Sequence, residues 1–311
     1  MYHVIVNPSS KSGLAGKQWK HLKAALDHAK ITYIVHFTKS EKDLRNYTKS
    51  ITDRQLFEHN GSLNRLIVLG GDGTLNCVVN AIDDMAHTVV SYLPTGTSND
   101  CARALGISAD PMDTVAGLKK CGVTRQTDVG VAAYGRKKRR FNVSCGFGFD
   151  AATCDAVMQS PFKNLFNKLG LGKLIYCAVA LKQLISLETV SCDLYLDDKP
   201  PIHFNRLIFA SFMQLPYEGG GFMLCPDADS TDGMLDVCVA SNLTALQALP
   251  IFPLALKGKH KGHRGIHMYR AKKIRIIASK KLCIHTDGEI CGYYTELSLG
   301  TEDTKLNYRK A

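Results

Sequence analysis

The chain lacks the patterns that mark zinc-binding, disulfide-linked or membrane-spanning proteins. Its eleven cysteines are scattered, with no C-x-x-C pair and no His/Cys group at zinc spacing, so we expect free thiols in a reducing cytosol. A strand-like apolar run at residues 4–6 begins almost at once, which predicts that no signal peptide is present. The most apolar long segment, residues 169–187, is interrupted by two lysines and a glutamine. It is interpreted as an amphipathic helix and not as a span.

Acidic residues are too few to balance the basic ones. The formal net charge is +11 and the isoelectric point is about 9.1, which favours an anionic partner. The basic residues cluster at 136–140 and between Lys257 and Lys273. Neither cluster carries the interleaved aromatics of a single-strand nucleic-acid site. We therefore favour an anionic membrane surface over nucleic acid. A solvated turn or loop is the alternative for each cluster and the favoured interpretation for the first.

Two domains are expected from the length of 311 residues. Residues 1–128 alternate apolar strand patterns with amphipathic helix patterns, which predicts an α/β domain with a doubly wound parallel sheet. Residues 129–295 contain short apolar runs separated by turns. They predict a β-rich, sandwich-like C-terminal domain.

A glycine-rich run at residues 70–76, Gly-Gly-Asp-Gly-Thr-Leu-Asn, is the most informative motif. It lies between a strand pattern and a helix pattern, where backbone N–H groups converge on a phosphate. Asp72 in such a loop would repel phosphate unless a cation lay between them. The run therefore predicts a nucleotide with a divalent metal, most simply ATP with Mg²⁺. The alternative is a glycine turn in which Asp72 caps the following helix.

Two further loops follow predicted parallel strands, at residues 7–13 and 94–100. Ligands of parallel sheets bind beyond the carboxyl ends of the strands, so the three loops together favour a nucleotide site. The first loop lacks the P-loop spacing. In the second, Thr97 is expected to donate its hydroxyl to a phosphate, to cap a helix, or to do both, and Asp100 to act on a metal through water.

Two oxygen-rich segments lie in the C-terminal half. Residues 225–236 are rich in carboxylates but do not match an EF-hand. Asp287, after an apolar run, could take a proton from a hydroxyl. From the residues alone, a solvated turn and an Asp-Gly hairpin turn are the favoured interpretations.

In their order along the chain, these segments resemble the soluble bacterial diacylglycerol kinase-type lipid kinases, whose catalytic domain is shared with eukaryotic diacylglycerol and sphingosine kinases. The matching motifs are Asn7-Pro8 and residues 70–76, 96–100, 146–150, 219–221, 232–236, 258–260 and 287–289. The resemblance implies an ATP-binding α/β domain, a C-terminal β-sandwich and an active site in the cleft between them. It also implies that residues 296–311 pack back on the first domain.

The resemblance assigns roles to individual residues. The implied ATP contacts are Asn7, Pro8, Ser9, Ser10, Lys11, Thr38, Gly70, Gly71, Asp72, Gly73, Thr74, Leu75, Asn76 and Thr97. The implied ligands of the catalytic Mg²⁺, acting through water, are Asp72, Asp100 and Asp128. The implied structural Mg²⁺ site consists of Asp232 and the backbone carbonyls of Asp229 and Met234. Asp287 resembles the general base, with Glu289 as the alternate candidate. Cys77 departs from the family, which usually has glutamate there.

The implied function is an ATP- and Mg²⁺-dependent lipid kinase of phospholipid biosynthesis that converts diacylglycerol to phosphatidic acid. Phosphatidylglycerol and sphingoid-base kinases share every motif and stay open. An NAD kinase shares Gly-Gly-Asp-Gly-Thr, but its following glycine element is not found here at the right spacing. A non-enzymatic nucleotide- or lipid-binding protein is favoured by Cys77 and opposed by Asp72 and Asp287. We expect a cytoplasmic protein, peripheral at the inner face of the membrane, that takes its lipid from there; a homodimer is left open.

Overall fold

The computed structural model describes residues 1–10, 14–55, 61–120, 124–159 and 190–309. The chain divides into two compact units, Met1–Val129 with Glu302–Ala311, and Gly130–Thr301. The segment 169–187, interpreted above as an amphipathic helix, lies outside the described residues. Among the helices of the described part, none is long and apolar enough to cross a membrane.

The first unit alternates strands and helices, as its sequence predicts. Its strands are β1 Tyr2–Val6, β2 Tyr33–Phe37, β3 Asn64–Gly70, β4 Thr88–Pro94, β5 Thr124–Thr127 and β15 Leu306–Arg309. Its helices are α1 Leu14–His28, α2 Glu41–Ile51, α3 Asp72–Ala81, α4 Asp100–Leu105 and α5 Pro111–Lys119. Local signals set several helix starts. Ser40 caps α2 by accepting the N–H of Asp43, and Asp110 caps α5 with Pro111 in its first turn.

The six strands form one sheet in the order β2-β1-β3-β4-β15-β5. The first four strands are mutually parallel, which confirms the α/β prediction, while β5 runs antiparallel to β15. One face buries Val4 and Val6 against α1 and α5. Because side chains alternate along a strand, Ile5 is buried on the opposite face. The parallel register brings the chain after β1, β2, β3 and β4 to one edge of the sheet.

The second unit is built on antiparallel strands. Its strands are β6 Gly130–Tyr134, β7 Lys137–Phe141, β8 Ser144–Gly148, β9 Val190–Leu196, β10 Ile202–Met213, β11 Leu235–Ser241, β12 Ile266–Ala271, β13 Ile274–Thr286 and β14 Glu289–Thr301. Its helices are α6 Phe149–Gln159, α7 Ala245–Ala248 and α8 Ile251–Ala255. The apolar runs at residues 273–278 and 281–286 fall in the single strand β13. Its pairing with β14 shifts register between Ile277 and Leu282 and then continues.

Two long strands fold this sheet onto itself. The first part of β10 pairs with β9 and its later part with β8. Strand β13 divides its pairing between β9 and β8 in the same way. The four strands therefore form a closed ring around a core that includes Phe147, Leu194 and Phe212, and the predicted sandwich-like domain is confirmed. Strand β7, which holds most of the first basic cluster, lies at the sheet edge, where charge discourages edge-to-edge pairing.

Strand β15 joins β5 to the rest of its sheet, so removing it should destabilise the first unit. We expect a chain ending at residue 305 to lose about 3–6 kcal/mol, since Leu306 and Tyr308 are both buried and each such side chain contributes about 1.5–3 kcal/mol. Urea unfolding measures the loss. A chain ending at residue 309 is the control, and equal stability of the two would contradict the prediction.

Candidate active site

Two glycine turns approach each other at the carboxyl edge of the parallel sheet. A Cβ placed on Gly96 would lie 2.6 Å from the Cα of Gly71, and one on Gly70 would collide with the Thr74 side chain. The Thr95 N–H also donates to the Gly70 carbonyl at 2.8 Å. Glycine is therefore needed for backbone contact between the loops, in addition to any contact with an anion.

The loop after β1 is tied to both turns. Asn7 Nδ2 donates to Thr74 Oγ1 at 2.9 Å, and its side-chain oxygen accepts the N–H of Ser9 at 3.1 Å. Ser10 Oγ donates to the Thr95 carbonyl at 3.2 Å. The structure thus brings three of the predicted nucleotide-binding loops together. Lys11 lies outside the described residues.

Asp72 caps a helix, but not the one that sequence analysis assigns to it. Gly71 is the N-cap of α3, whereas the Asp72 carboxylate accepts the N–H of Asp100 at 3.1 Å and that of Cys101 at 3.4 Å, at the start of α4. The expected capping by Thr97 is wrong, because α4 begins at Asp100 and Asn99 is its N-cap in a left-handed conformation. The Asp72 carboxylate therefore links the two loops that are predicted to bind phosphate.

The carboxylates assigned to the catalytic Mg²⁺ already have protein partners. Asp100 pairs with Arg103 at 2.7 Å, and Asp128 pairs with Lys305 at 3.1 Å. Within the described part of the chain, they and Asp72 are not among the acidic and histidine groups whose ligand atoms converge within 4.8 Å. Indirect binding through water therefore fits these residues better than direct coordination.

A buried tyrosine hydroxyl near Asp72 indicates a site for a bound water. The Tyr92 hydroxyl on β4 is buried and has no hydrogen-bond partner among the described residues. Burial raises its pKa far above the usual value, and the charge of Asp72 acts in the same direction, so the hydroxyl stays protonated. A buried hydroxyl without a protein partner is usually satisfied by water, which agrees with a hydrated cation near Asp72.

The loop assigned to a structural Mg²⁺ is held by its own contacts. Asp229 Oδ1 accepts the N–H and the hydroxyl of Thr231. Asp232 Oδ1 accepts the N–H of Met234 at 2.9 Å, and its other oxygen pairs with Arg270 at 3.2 Å. The carbonyls of Asp229 and Met234 keep their assigned role as a prediction.

Asp287 lies in the turn between β13 and β14, with a left-handed φ of 51°. One carboxylate oxygen accepts the N–H groups of Val143 and Ser144 at 2.8 and 3.0 Å. The other accepts the N–H of Asn142 at 2.8 Å and its amide nitrogen at 3.3 Å. These four bonds orient the carboxylate and tie the turn to the start of β8.

The other predicted residues occupy the neighbourhood of these loops. The Thr38 N–H, just after β2, donates to the Val6 carbonyl at 2.9 Å. Asn76 is fully buried in α3. The Cys77 thiol faces α2 and lies 3.9 Å from the Glu41 carbonyl. Glu289 begins β14, opposite Thr286. The roles of Pro8, Gly73 and Leu75 at a nucleotide stay predictions.

A cluster of titratable side chains in the second unit, with a buried histidine, was not predicted from the sequence. His285 Nε2 lies 2.8 Å from Glu218 Oε1 and 3.5 Å from Asp150 Oδ2. Ser211 donates its hydroxyl to Glu218 at 2.7 Å, and the Gly288 N–H donates to His285 Nδ1 at 3.2 Å. Within the described residues, this is the group whose possible metal-ligating atoms all lie within 4.8 Å of one another.

The Gly-Phe-Gly-Phe-Asp motif at residues 146–150 was the sequence feature from which this cluster could have been predicted. A Cβ on Gly146 would collide with the Asp150 carboxylate and the His285 imidazole, so this glycine leaves the space that both side chains occupy. Burial raises the pKa of Asp150. Burial is the largest influence on His285 and acts to lower its pKa, but the interactions with Glu218 and Asp150 together outweigh burial and raise that pKa.

Asp150 and Glu218 border a cavity of about 450 Å³. Its other walls are almost wholly apolar and come from α6, β10, β11 and the α7–α8 segment, with Phe149, Ile208, Phe209, Phe222, Leu243 and Phe252 among the lining residues. Asp150 Oδ2 is buried and receives no well-oriented hydrogen bond from the described residues. The cavity thus combines long apolar walls with a carboxylate acceptor at one place.

Comparison with known proteins identifies the class. The model of the diacylglycerol kinase catalytic domain matches residues 1–132, and that of the YegS C-terminal NAD kinase beta sandwich-like domain matches residues 143–298, half of the chain. The diacylglycerol kinase of Bacillus subtilis (strain 168) is 27% identical over 291 residues, which cover 93% of this chain and 89% of that protein.

Solved structures agree with this fold. A diacylglycerol kinase crystal structure from Bacillus anthracis str. Sterne aligns with a TM-score of 0.69 and 18% identity, covering 100% of this chain and 96% of that one. An NAD kinase from Archaeoglobus fulgidus in complex with ATP aligns at 0.56 and 14%, covering 100% and 94%.

The two units and their glycine loops define a kinase of the class that unites lipid kinases and NAD kinases by fold. The chain belongs to the diacylglycerol kinase family, and it is a lipid kinase; membership of this family implies that it uses ATP.

The close approach of Gly71 and Gly96 predicts a cost for any side chain there. We expect Gly96→Ala to destabilise the protein by about 1–3 kcal/mol, because the added methyl group must push the loops apart, and to weaken ATP binding. Thermal unfolding and ATP titration measure both effects. Gly16→Ala in α1 is the matched control, since nothing lies within 4 Å of its Cβ position. A stable Gly96→Ala protein with normal ATP affinity would overturn this account.

Proposed function

We propose that this lipid kinase transfers the γ-phosphate of ATP to the free hydroxyl of diacylglycerol and so forms phosphatidic acid. In this step the hydroxyl oxygen bonds to the γ-phosphorus, the bond from that phosphorus to the bridging oxygen breaks, and ADP leaves. The hydroxyl proton passes to the protein. The kinase class itself comes from family membership, and the choice of acceptor is the proposal.

The observation that carries the choice is the apolar cavity bordered by Asp150 and Glu218. Apolar walls bind acyl chains by removing them from water. Asp150 Oδ2 is a buried acceptor without a well-oriented donor among the described residues, so the cavity has one polar end beside its apolar walls. A relative in Bacillus subtilis carries the name diacylglycerol kinase, which supports the same acceptor.

The charge of this cluster separates the alternative acceptors. Phosphatidylglycerol carries a phosphate that the Asp150 and Glu218 carboxylates, whose charge His285 offsets only in part, would repel, so it is disfavoured here. A sphingoid base carries an amino group that Asp150 could pair with, and it is the second candidate for that reason. NAD lacks the long apolar part that the cavity walls would bind.

ATP and Mg²⁺ are proposed to bind at the carboxyl edge of the parallel sheet. Backbone N–H groups of the turns at 70–76 and 95–97, with Asn7 and Ser10, would contact the phosphates. Asp72, Asp100 and Asp128 would hold the cation through water. When bound, Mg²⁺ neutralises charge on the triphosphate and orients its oxygens.

We assign the proton to Asp287. Its carboxylate is oriented by four hydrogen bonds, of which the one from Asn142 Nδ2, at 3.3 Å, is the longest. Exchange of that bond for the acceptor hydroxyl would leave the backbone bonds intact and bring the oxygen within reach of the proton. Glu289 is the alternate base.

Asp287→Asn should abolish transfer while ATP still binds. General base catalysis contributes roughly 10²–10⁴-fold, so we expect a loss of that order in label transferred from γ-labelled ATP to diacylglycerol in mixed micelles. Separate reactions with phosphatidylglycerol, a sphingoid base and NAD identify the acceptor. Label in NAD alone would reject the lipid acceptor.

Glu289→Gln is the matched control, because it neutralises a carboxylate in the same turn region. Retained turnover in Asp287→Asn with loss in Glu289→Gln would move the base to Glu289. Since Asp287 also holds three backbone N–H groups, thermal unfolding of Asp287→Asn separates a catalytic loss from a folding loss.

Filling the cavity should act on the acceptor and not on ATP. Ala248 lines the cavity and is buried, so we expect Ala248→Trp to reduce phosphorylation of long-chain diacylglycerol roughly tenfold by occupying the acyl site. ATP binding should not change. Ala133→Trp, at an exposed position of β6, is the control. Unchanged long-chain activity in Ala248→Trp would show that the cavity does not hold the acceptor.

A further inference from the structure

The α7–α8 segment exposes large apolar side chains to solvent. Leu246 is 81% exposed, Leu256 47% and Leu249 39%. They are three of the nine exposed large hydrophobic residues identified in the described part of the chain, and they lie within eleven consecutive residues. Concentration of such residues in one short stretch is a mark of an interaction surface, whereas single exposed apolar residues are ordinary.

The chain around and after this segment is strongly basic. Residues 237–286 contain ten lysines and arginines and no aspartate or glutamate. Lys257, Lys259 and Arg264 are exposed, and no ion pair joins them to any of the described residues. Lys261, by contrast, pairs with Asp227 at 2.6 Å. The apolar stretch is therefore followed directly by three positive charges that no carboxylate of the described residues neutralises.

The exposed stretch is continuous with the acceptor cavity. Leu249 and Leu256 are partly exposed and also line the cavity, together with Phe252 between them. An apolar surface that continues into an apolar cavity offers an acyl chain a route that does not cross water. A globular protein partner would need acidic residues to match the basic loop but would have no use for this continuity.

We propose that residues 245–264, here called the docking segment, bind the surface of an anionic bilayer. Leu246 and its neighbours enter the interface, and Lys257, Lys259 and Arg264 contact anionic headgroups. This inference rests on the proposed function, because it explains how a lipid acceptor reaches the cavity. Each basic residue close to an anionic surface contributes roughly a fivefold gain in partitioning.

Vesicle flotation tests the electrostatic part. The full-length protein is mixed with vesicles of phosphatidylcholine alone or of phosphatidylcholine with phosphatidylglycerol. We expect Lys257→Gln/Arg264→Gln to reduce partitioning onto the anionic vesicles at least about tenfold. Arg136→Gln/Lys137→Gln is the control, because it removes the same charge from exposed positions at the other basic cluster. Equal losses in the two double variants would reject the docking segment in favour of a general effect of net charge.

Leu246→Gln tests the apolar part without touching the cavity, since Leu246 does not line it. We expect weaker binding to vesicles, while Met112→Gln, at another exposed apolar position of 60% exposure, leaves binding unchanged. Wild-type affinity in Leu246→Gln would show that the segment does not enter the interface.

Kinase assays separate this inference from the proposed function. Both docking variants should phosphorylate a short-chain, water-dispersed diacylglycerol at the wild-type rate and lose activity only on anionic vesicles. If the wild-type protein phosphorylates no diacylglycerol in either form, the proposed acceptor fails while flotation still decides docking. Normal vesicle binding and vesicle activity in both variants would overturn the docking proposal alone.

Discussion

The close contact between Gly71 and Gly96 is the constraint on which the arrangement of the predicted nucleotide-binding loops depends. Backbone atoms at this contact lie so close that no Cβ fits between them. Asp72 links the same two loops, because it is the first residue of α3 and its carboxylate accepts an N–H group at the start of α4. Asn7 joins the loop after β1 to them through Thr74. A change in any of these loops therefore alters the positions of the others, and with them the N–H groups available to phosphate.

Close packing also constrains the second unit. Strands β10 and β13 each pair with both β8 and β9, which closes the sheet around its core. Gly146 of β8 leaves room for Asp150 and His285 above the strand. The carboxylates of Asp150 and Glu218 therefore lie close to a protein core that excludes water. This raises the energetic cost of leaving them without hydrogen-bond or charge partners.

The parallel sheet and its loops were predictable because β1, β3 and β4 are continuous apolar runs that end at polar, glycine-containing segments. The family motifs also drew attention to Asp287. The cluster of Asp150, Glu218 and His285 was not predictable from periodicity, because its members come from separate elements that only sheet pairing brings together. The start of α4 was missed for a related reason: the carboxylate that accepts its first N–H groups belongs to Asp72, far away in sequence, whereas propensity favours Thr97 locally.

Strand β15 also has a consequence for the order in which the protein is made. It lies between β4 and β5, yet it is synthesised after every strand of the second unit. While the ribosome is still producing residues 130–301, the nucleotide-binding sheet lacks one interior strand and β5 has no neighbour in it. Completion of the first unit's sheet is thereby delayed until the second unit has been translated, so a chain released early lacks the strand that lies between β4 and β5.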